Sequence, residues 1–350
     1  MEMEFIPVRG ARVRKGSGPG EETGLRSKRG MFPRRKIGLY SSPKGCEDRA
    51  SKNQNDRRIV MAEEKKRYRF LFIQPFELSK GSKFADKYHT ASLSKEQRLR
   101  MSYLNIRHLL EDVEWDFHGG PIAPYGDWAV ETREEFCYVA AARLPIVRQA
   151  CESGKYNAIV LLGGGEPGFV ESREIARHFG IPVTSCAFSQ MHIASMLGNK
   201  FSVIDFTEVH NMFYYDLVVR HRFTDRCASI RNINFYHARP GHPVESTIDQ
   251  EREKALKGEP SEAVERAVRE AVTAIEEDGA EVITFGCSDA FWLQSFLQKR
   301  LDEMGWEIPV LEGYSSAIAL AKLFVDLGVN ASGLMLPGDR PKKWRRKKTF

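Results

Sequence analysis

The stretch GAEVITFGCSDAF, residues 279–291, decides how this chain is read. Val282, Ile283 and Phe285 belong to an apolar run of strand length, Gly286 and Cys287 form a small-residue step, and Ser288 and Asp289 open an amphipathic segment with helical spacing. A cysteine so placed stands beyond the carboxyl end of a strand and at the positive end of a helix. That position offers backbone N–H groups to an anion and lowers a thiol's pKa. A second stretch, AIVLLGGGEPGFV at 158–170, repeats the pattern with Gly163 where the first has Cys287.

Outward from these two stretches, short apolar runs at 68–74, 114–118, 158–162, 181–185, 201–206, 228–235, 281–286 and 308–312 are the expected strands, in two groups of four. Helices are expected at 132–153, where Pro145 should kink or divide the helix, at 171–179, at 261–277 with Ser261 as N-cap, and at 289–304. The order strand, small turn, helix, Gly, Ile-Pro-Val and alanine-rich helix occurs twice: Ile181-Pro182-Val183 returns as Ile308-Pro309-Val310, and HIASMLG as AIALAKLFVDLG. The reading is an α/β fold of two four-stranded, mainly parallel-sheet domains related by pseudo-twofold symmetry, with disordered basic tails. The first half takes 66–187 plus 314–331 and the second 188–313. Cleft residues belong at the ends of strands one and three of each half.

The chain has 350 residues and 42% apolar residues, enough for two cores. Its net charge of +6 is unevenly placed. Residues 1–60 hold 15 Lys and Arg against 7 Asp and Glu, and residues 339–350 hold 7 against 1, which leaves −8 for the middle. An acidic body argues against specific nucleic-acid binding. The segments 1–65 and 332–350 read as disordered basic tails, with Met61 as the expected biological start. No run of about eighteen apolar residues spans a membrane, and the first residues lack a secretory pattern, so the cytoplasm is the expected location.

Six cysteines, without a CxxC pair, suit a reducing compartment and give neither a disulfide framework nor a metal site. His237 and His242, in FYHARPGHP, are two weak metal candidates in what reads as a solvated loop. Residues 163–168, GGGEPG, fit GxGxxG, but the next strand ends in Thr184-Ser185-Cys186 rather than an acid, and Glu166 has the wrong charge for a phosphate site. The glycines are better suited to giving N–H groups to a carboxylate or carbonyl oxygen. Glu166 could act as a base, though with Pro167 after it a helix-start role is favoured.

Residues 68–331 resemble the Asp/Glu/hydantoin racemase family, in its hydantoin and allantoin racemase branch. The resemblance is carried by EPGFVESREIARHFGIPV, MHIASMLGNKFSVI, RCASIR, EEDGAEVITFGC and IPVLEGYSSAIALAKLF. It implies a cofactor-independent isomerase that moves a proton at a carbon next to a carbonyl or carboxylate, with one cysteine from each half on opposite faces of the substrate. Cys287 falls on the second family cysteine and is the candidate general acid or base; the first falls on Gly163. One-thiol relatives, the arylmalonate decarboxylases, also carry Gly there, which keeps a decarboxylase or another isomerase as the alternative, beside a non-catalytic small-molecule binder.

Gln74, Gly163, Gly164, Gly165, Cys186, Phe188, Ser189 and Ser288 are the expected substrate-binding residues, with no cofactor and no metal. Gln74-Pro75-Phe76 replaces the family's Asn-Pro-Asn and Phe188 its Glu, so the pocket reads as more apolar and aromatic than a hydantoin racemase's. Cys186 could alternatively be core, as could His192, while Cys151 and Cys227 are taken as structural. The partner is a small carbonyl or carboxylate compound, and the chain is expected to be a homo-oligomer.

Overall fold

The structure is a computed structural model that describes residues 67–84, 94, 104–242, 247–337 and 343. The expected disorder of 1–65, the proposed start at Met61 and most of the C-terminal basic segment lie outside the described residues.

Two parallel sheets carry the chain. The first has the order β2-β1-β3-β4, from Val113–His118, Tyr68–Ile73, Ala158–Leu161 and Val183–Ser185. The second has the order β6-β5-β7, from Cys227–Asn232, Phe201–Asp205 and Val282–Phe285. β3, β4, β5 and β7 are buried along their whole length, which is why they read as unbroken apolar runs and not as alternation. The expected eighth strand at 308–312 is a correction: it reduces to one bridge between Ile283 and Val310. Ile283 N donates to Pro309 O and Leu311 N donates to Ile283 O, which closes that single bridge.

Eight helices surround the sheets among the described residues. They are α1 (Arg133–Glu152), α2 (Phe169–Arg177), α3 (Cys186–Leu197), α4 (Asn211–Arg220), α5 (Ile248–Leu256), α6 (Glu262–Glu276), α7 (Leu293–Glu303) and α8 (Gly313–Leu327). Pro145 lies inside α1, which nevertheless runs unbroken through it. A capping box fixes its start, with Thr132 accepting from Glu135 N and the Glu135 carboxylate accepting from Thr132 N. Ser261 is the N-cap of α6, as expected, but its side chain makes no cap hydrogen bond: its Oγ donates to Glu251 Oε2, and that carboxylate accepts from Ala263 N. α6 turns Ala263, Ala267, Val268, Ala271, Ala274 and Ile275 inward at helical spacing.

Two helices link the sheets. α3 leaves the end of β4 and packs on β7, whereas α8 packs on β3 and β4, and the two lie against each other. Gln190 of α3 ties the layers together by donating to Phe285 O at 3.0 Å and accepting from Phe285 N at 2.9 Å. No helix among the described residues is long and apolar enough to cross a membrane.

Candidate active site

β7 ends at Phe285 and delivers Gly286 and Cys287 to the carboxyl edge of its sheet, beside the end of β5. Asp205, the last residue of β5, is fully buried and organises that edge. Its Oδ1 accepts from Cys287 N at 3.3 Å and Phe206 N at 2.6 Å, and its Oδ2 meets His210 Nδ1 at 3.1 Å. Gly286 has no room for a side chain, because a Cβ there would lie 2.7 Å from the Tyr214 ring and 2.8 Å from the Asp205 carboxylate.

The glycine turn after β3 meets this edge head-on. A Cβ on Gly164 would sit 1.9 Å from Gly286 O, and one on Gly165 would strike the Phe136 ring, so the two strand-end turns approach backbone to backbone. Gly163 holds φ +98° with Pro75 packed against it. Arg143, fully buried, fixes the turn from behind by donating to Pro167 O at 3.1 Å, Ile73 O at 2.6 Å and Leu162 O at 3.2 Å.

Between the turns lies a cavity of about 30 Å³, lined by Pro75, Phe76, Val130, Phe136, Gly163, Gly164, Gly165, Pro167, His210, Tyr214, His237, Cys287, Ser288 and Asp289. Its lining is asymmetric. The titratable members, His210, Tyr214, His237, Cys287 and Asp289, all follow residue 188, whereas Pro75 through Pro167 contribute backbone and apolar surface.

The electrostatics correct one expectation. Cys287 was read as a thiol acidified by a helix start, but Ser288–Ala290 forms a single 3-10 turn and α7 begins only at Leu293. Burial, followed by the negative Asp289 and Asp205, holds the thiol well above its ordinary range, although the Ser288 hydroxyl and Asp289 N–H pull the other way. Its surroundings therefore favour the neutral thiol over the thiolate. Tyr214 is likewise raised by burial, then by Asp205 and Cys287. Burial works against the charged form of His210, but the Asp205 carboxylate outweighs it and raises the imidazole.

Of the residues expected from sequence, Gly163, Gly164, Gly165, Cys287 and Ser288 meet at the cavity. Gln74 is buried next to it, while its neighbours Pro75 and Phe76 do the lining. Cys186, Phe188 and Ser189 are placed differently, since the first turn of α3 carries them into the core. Cys186 is fully buried with Sγ 3.8 Å from Leu161 O, and burial, then Glu312, raises its thiol well above normal. Phe188 packs on Phe169 and His192.

Glu166 serves structure: one oxygen accepts from Phe188 N at 2.5 Å and from Ser185 Oγ, and the other meets His221 Nε2 at 2.8 Å. His237 is corrected too. It is buried beside Phe206, with Nε2 3.4 Å from Asp289 Oδ2, and is not solvated. Asp205, His210 and Tyr214 were not singled out in the sequence. Asp205 alone carried a signal, as the last residue of a strand expected to end at the cleft.

The sequence model of the family described as Asp/Glu/Hydantoin racemase matches residues 126–321. The hydantoin racemase of Pseudomonas sp. (strain NS671) is 30% identical over 178 residues, 51% of this chain and 62% of that protein. The hydantoin racemase of Paenarthrobacter aurescens is 27% identical over 186 residues, 53% and 69% of the two chains. The chain thus spans less than two thirds of the first of these relatives. Among solved structures, the allantoin racemase from Klebsiella pneumoniae has a TM-score of 0.55 at 22% identity, covering 79% of this chain and 95% of its own. The allantoin racemase from Pseudomonas fluorescens has a TM-score of 0.56 at 22% identity, covering 79% and 98%. These structures share the α/β fold with parallel sheets, and the family match covers more than half of the sequence: the chain belongs to the Asp/Glu/hydantoin racemase family.

Proposed function

We propose that this protein is a cofactor-independent isomerase of the racemase and epimerase type, which moves a proton at a carbon next to a carbonyl with Cys287 as general acid and base. The observation that carries the reading is the position of Cys287 just beyond the carboxyl end of β7, in the same cavity as the Gly163, Gly164 and Gly165 turn. N–H groups of Gly164, Gly165 and Ser288 hold the oxygen on which enolate charge develops. A protonated thiol suits the step that returns a proton to the carbanion. Two domains related by a pseudo-twofold axis, 66–187 with 314–331 and 188–313, belong to the same reading; the matching orders β2-β1-β3 and β6-β5-β7 and the contact of α3 with α8 support it. So do a cytoplasmic location and a homo-oligomer, on family grounds.

A second reading is favoured by one observation. Every titratable side chain of the cavity comes from residues after 188, and Gly163 leaves the opposite wall without an acid or base. Proton delivery from one face fits a one-thiol decarboxylase or another isomerase. The deciding experiment incubates the protein with hydantoins, substituted malonates and 2-amino acids in heavy water and follows mass and chirality. Cys287→Ala should lower turnover by about 10² or more with an unchanged circular dichroism spectrum. Full activity in that variant refutes both readings.

A further inference from the structure

Cys287 does not stand alone on its wall. His237, Cys287 and Asp289 each offer one ligand atom, and the three atoms lie within 4.8 Å of one another. They come from two separate segments, the loop after β6 and the turn after β7, and His237 and Asp289 are buried. The His237 Nε2 to Asp289 Oδ2 distance of 3.4 Å is longer than a charge-assisted hydrogen bond. It equals the separation of about 3.4 Å between two N or O ligands that each lie about 2.1 Å from one tetrahedral ion. Imidazole, thiolate and carboxylate together are a borderline-soft donor set, suited to zinc or cobalt and unsuited to magnesium or calcium.

We propose that His237, Cys287 and Asp289 form a three-ligand site for a divalent transition metal of the zinc class, whose fourth position opens into the substrate cavity and whose occupation switches the proton-transfer chemistry off. Binding exchanges the Cys287 S–H bond for a metal–sulfur bond and releases that proton to solvent, with no change of oxidation state. His237 ligates as the neutral imidazole and Asp289 as carboxylate. A metal-bound thiolate has no proton to give and its lone pair is engaged, so the ion inhibits. The metal site itself is independent of the activity proposed above; only the inhibition rests on that activity.

The test uses the full-length chain, freed of metal with a chelator and titrated with Co²⁺. The expected result is a thiolate-to-cobalt charge-transfer band that saturates at one ion per chain and is bleached by Zn²⁺. Cys287→Ser and His237→Gln should abolish the band, and Asp289→Asn should weaken cobalt binding at least tenfold, each with a wild-type circular dichroism spectrum. Absence of the band in the wild type, or its survival in His237→Gln, overturns the proposal. In parallel, stoichiometric Zn²⁺ should stop Cys287-dependent α-proton exchange. Exchange that is unaffected by zinc, without a cobalt band, overturns the metal site and leaves the proton-transfer reading standing. A cobalt band without any exchange activity supports the site and removes the activity instead.

Discussion

At the scale of single residues, the chemistry of the cavity is governed by negative charge around one sulfur. Asp289 and Asp205 both oppose ionisation of the Cys287 thiol, on top of its burial. In chelator-treated protein, Asp289→Asn should lower the thiol pKa and speed alkylation of Cys287 by iodoacetamide at pH 7.5, read from the mass of its peptide. An unchanged rate would show that Asp289 does not act on the sulfur. His210 sets a second pH dependence. Its folded pKa lies above the unfolded value of about 6.5, so its stabilisation is fully present below that pH and is lost as the pH rises through the folded pKa. Urea midpoints of the wild type should exceed those of His210→Gln most at pH 6, with the gap narrowing towards pH 9. A gap that widens with pH reverses the assignment. Comparing the two proteins cancels His192, whose lowered pKa, caused by burial, acts in the opposite direction.

At the scale of elements, the site is two turns held in contact by their lack of side chains. Gly164→Ala drives a methyl group into Gly286 O and should cost about 2–4 kcal/mol by overpacking, through backbone that has nowhere to move. Chemical denaturation would measure the loss, and a cost below about 0.5 kcal/mol would mean the turns are not in contact. Gly163→Cys, the obvious way to restore a second thiol, places a side chain at φ +98° against Pro75, a penalty of about 1–2 kcal/mol before any chemistry is gained. The repeat and the alternation of strands and helices were visible along the chain because buried parallel strands read as short apolar runs. The end of the second sheet was not: Ile-Pro-Val is equally apolar at 181–183 and 308–310, but Val183 opens a strand whereas Val310 makes a single bridge.

For the whole molecule, what is at stake is handedness. The titratable groups lining the cavity all follow residue 188, and the proposed one-face reading follows from that: the proton would return from a fixed side of the substrate. Under the one-face reading, product formed in heavy water carries α-deuterium in a single enantiomer; deuterium in both enantiomers would require a second proton carrier on the glycine side and establishes the racemase reading.

The amino-acid sequence by itself determined seven of the eight expected strands and the small-residue turns that carry Gly163 and Cys287, because these are local properties of spacing and residue size. Only the tertiary structure decided what surrounds the sulfur. Asp205 is 82 residues from Cys287 in the chain, and His237 lies in a loop whose composition reads as solvated. Parallel strands place their carboxyl ends side by side regardless of the length of the chain between them, so side chains with no sequence relationship become neighbours there. The same geometry sent Cys186, Phe188 and Ser189 the other way, into the core. The helix they open, α3, packs on β7 and α8.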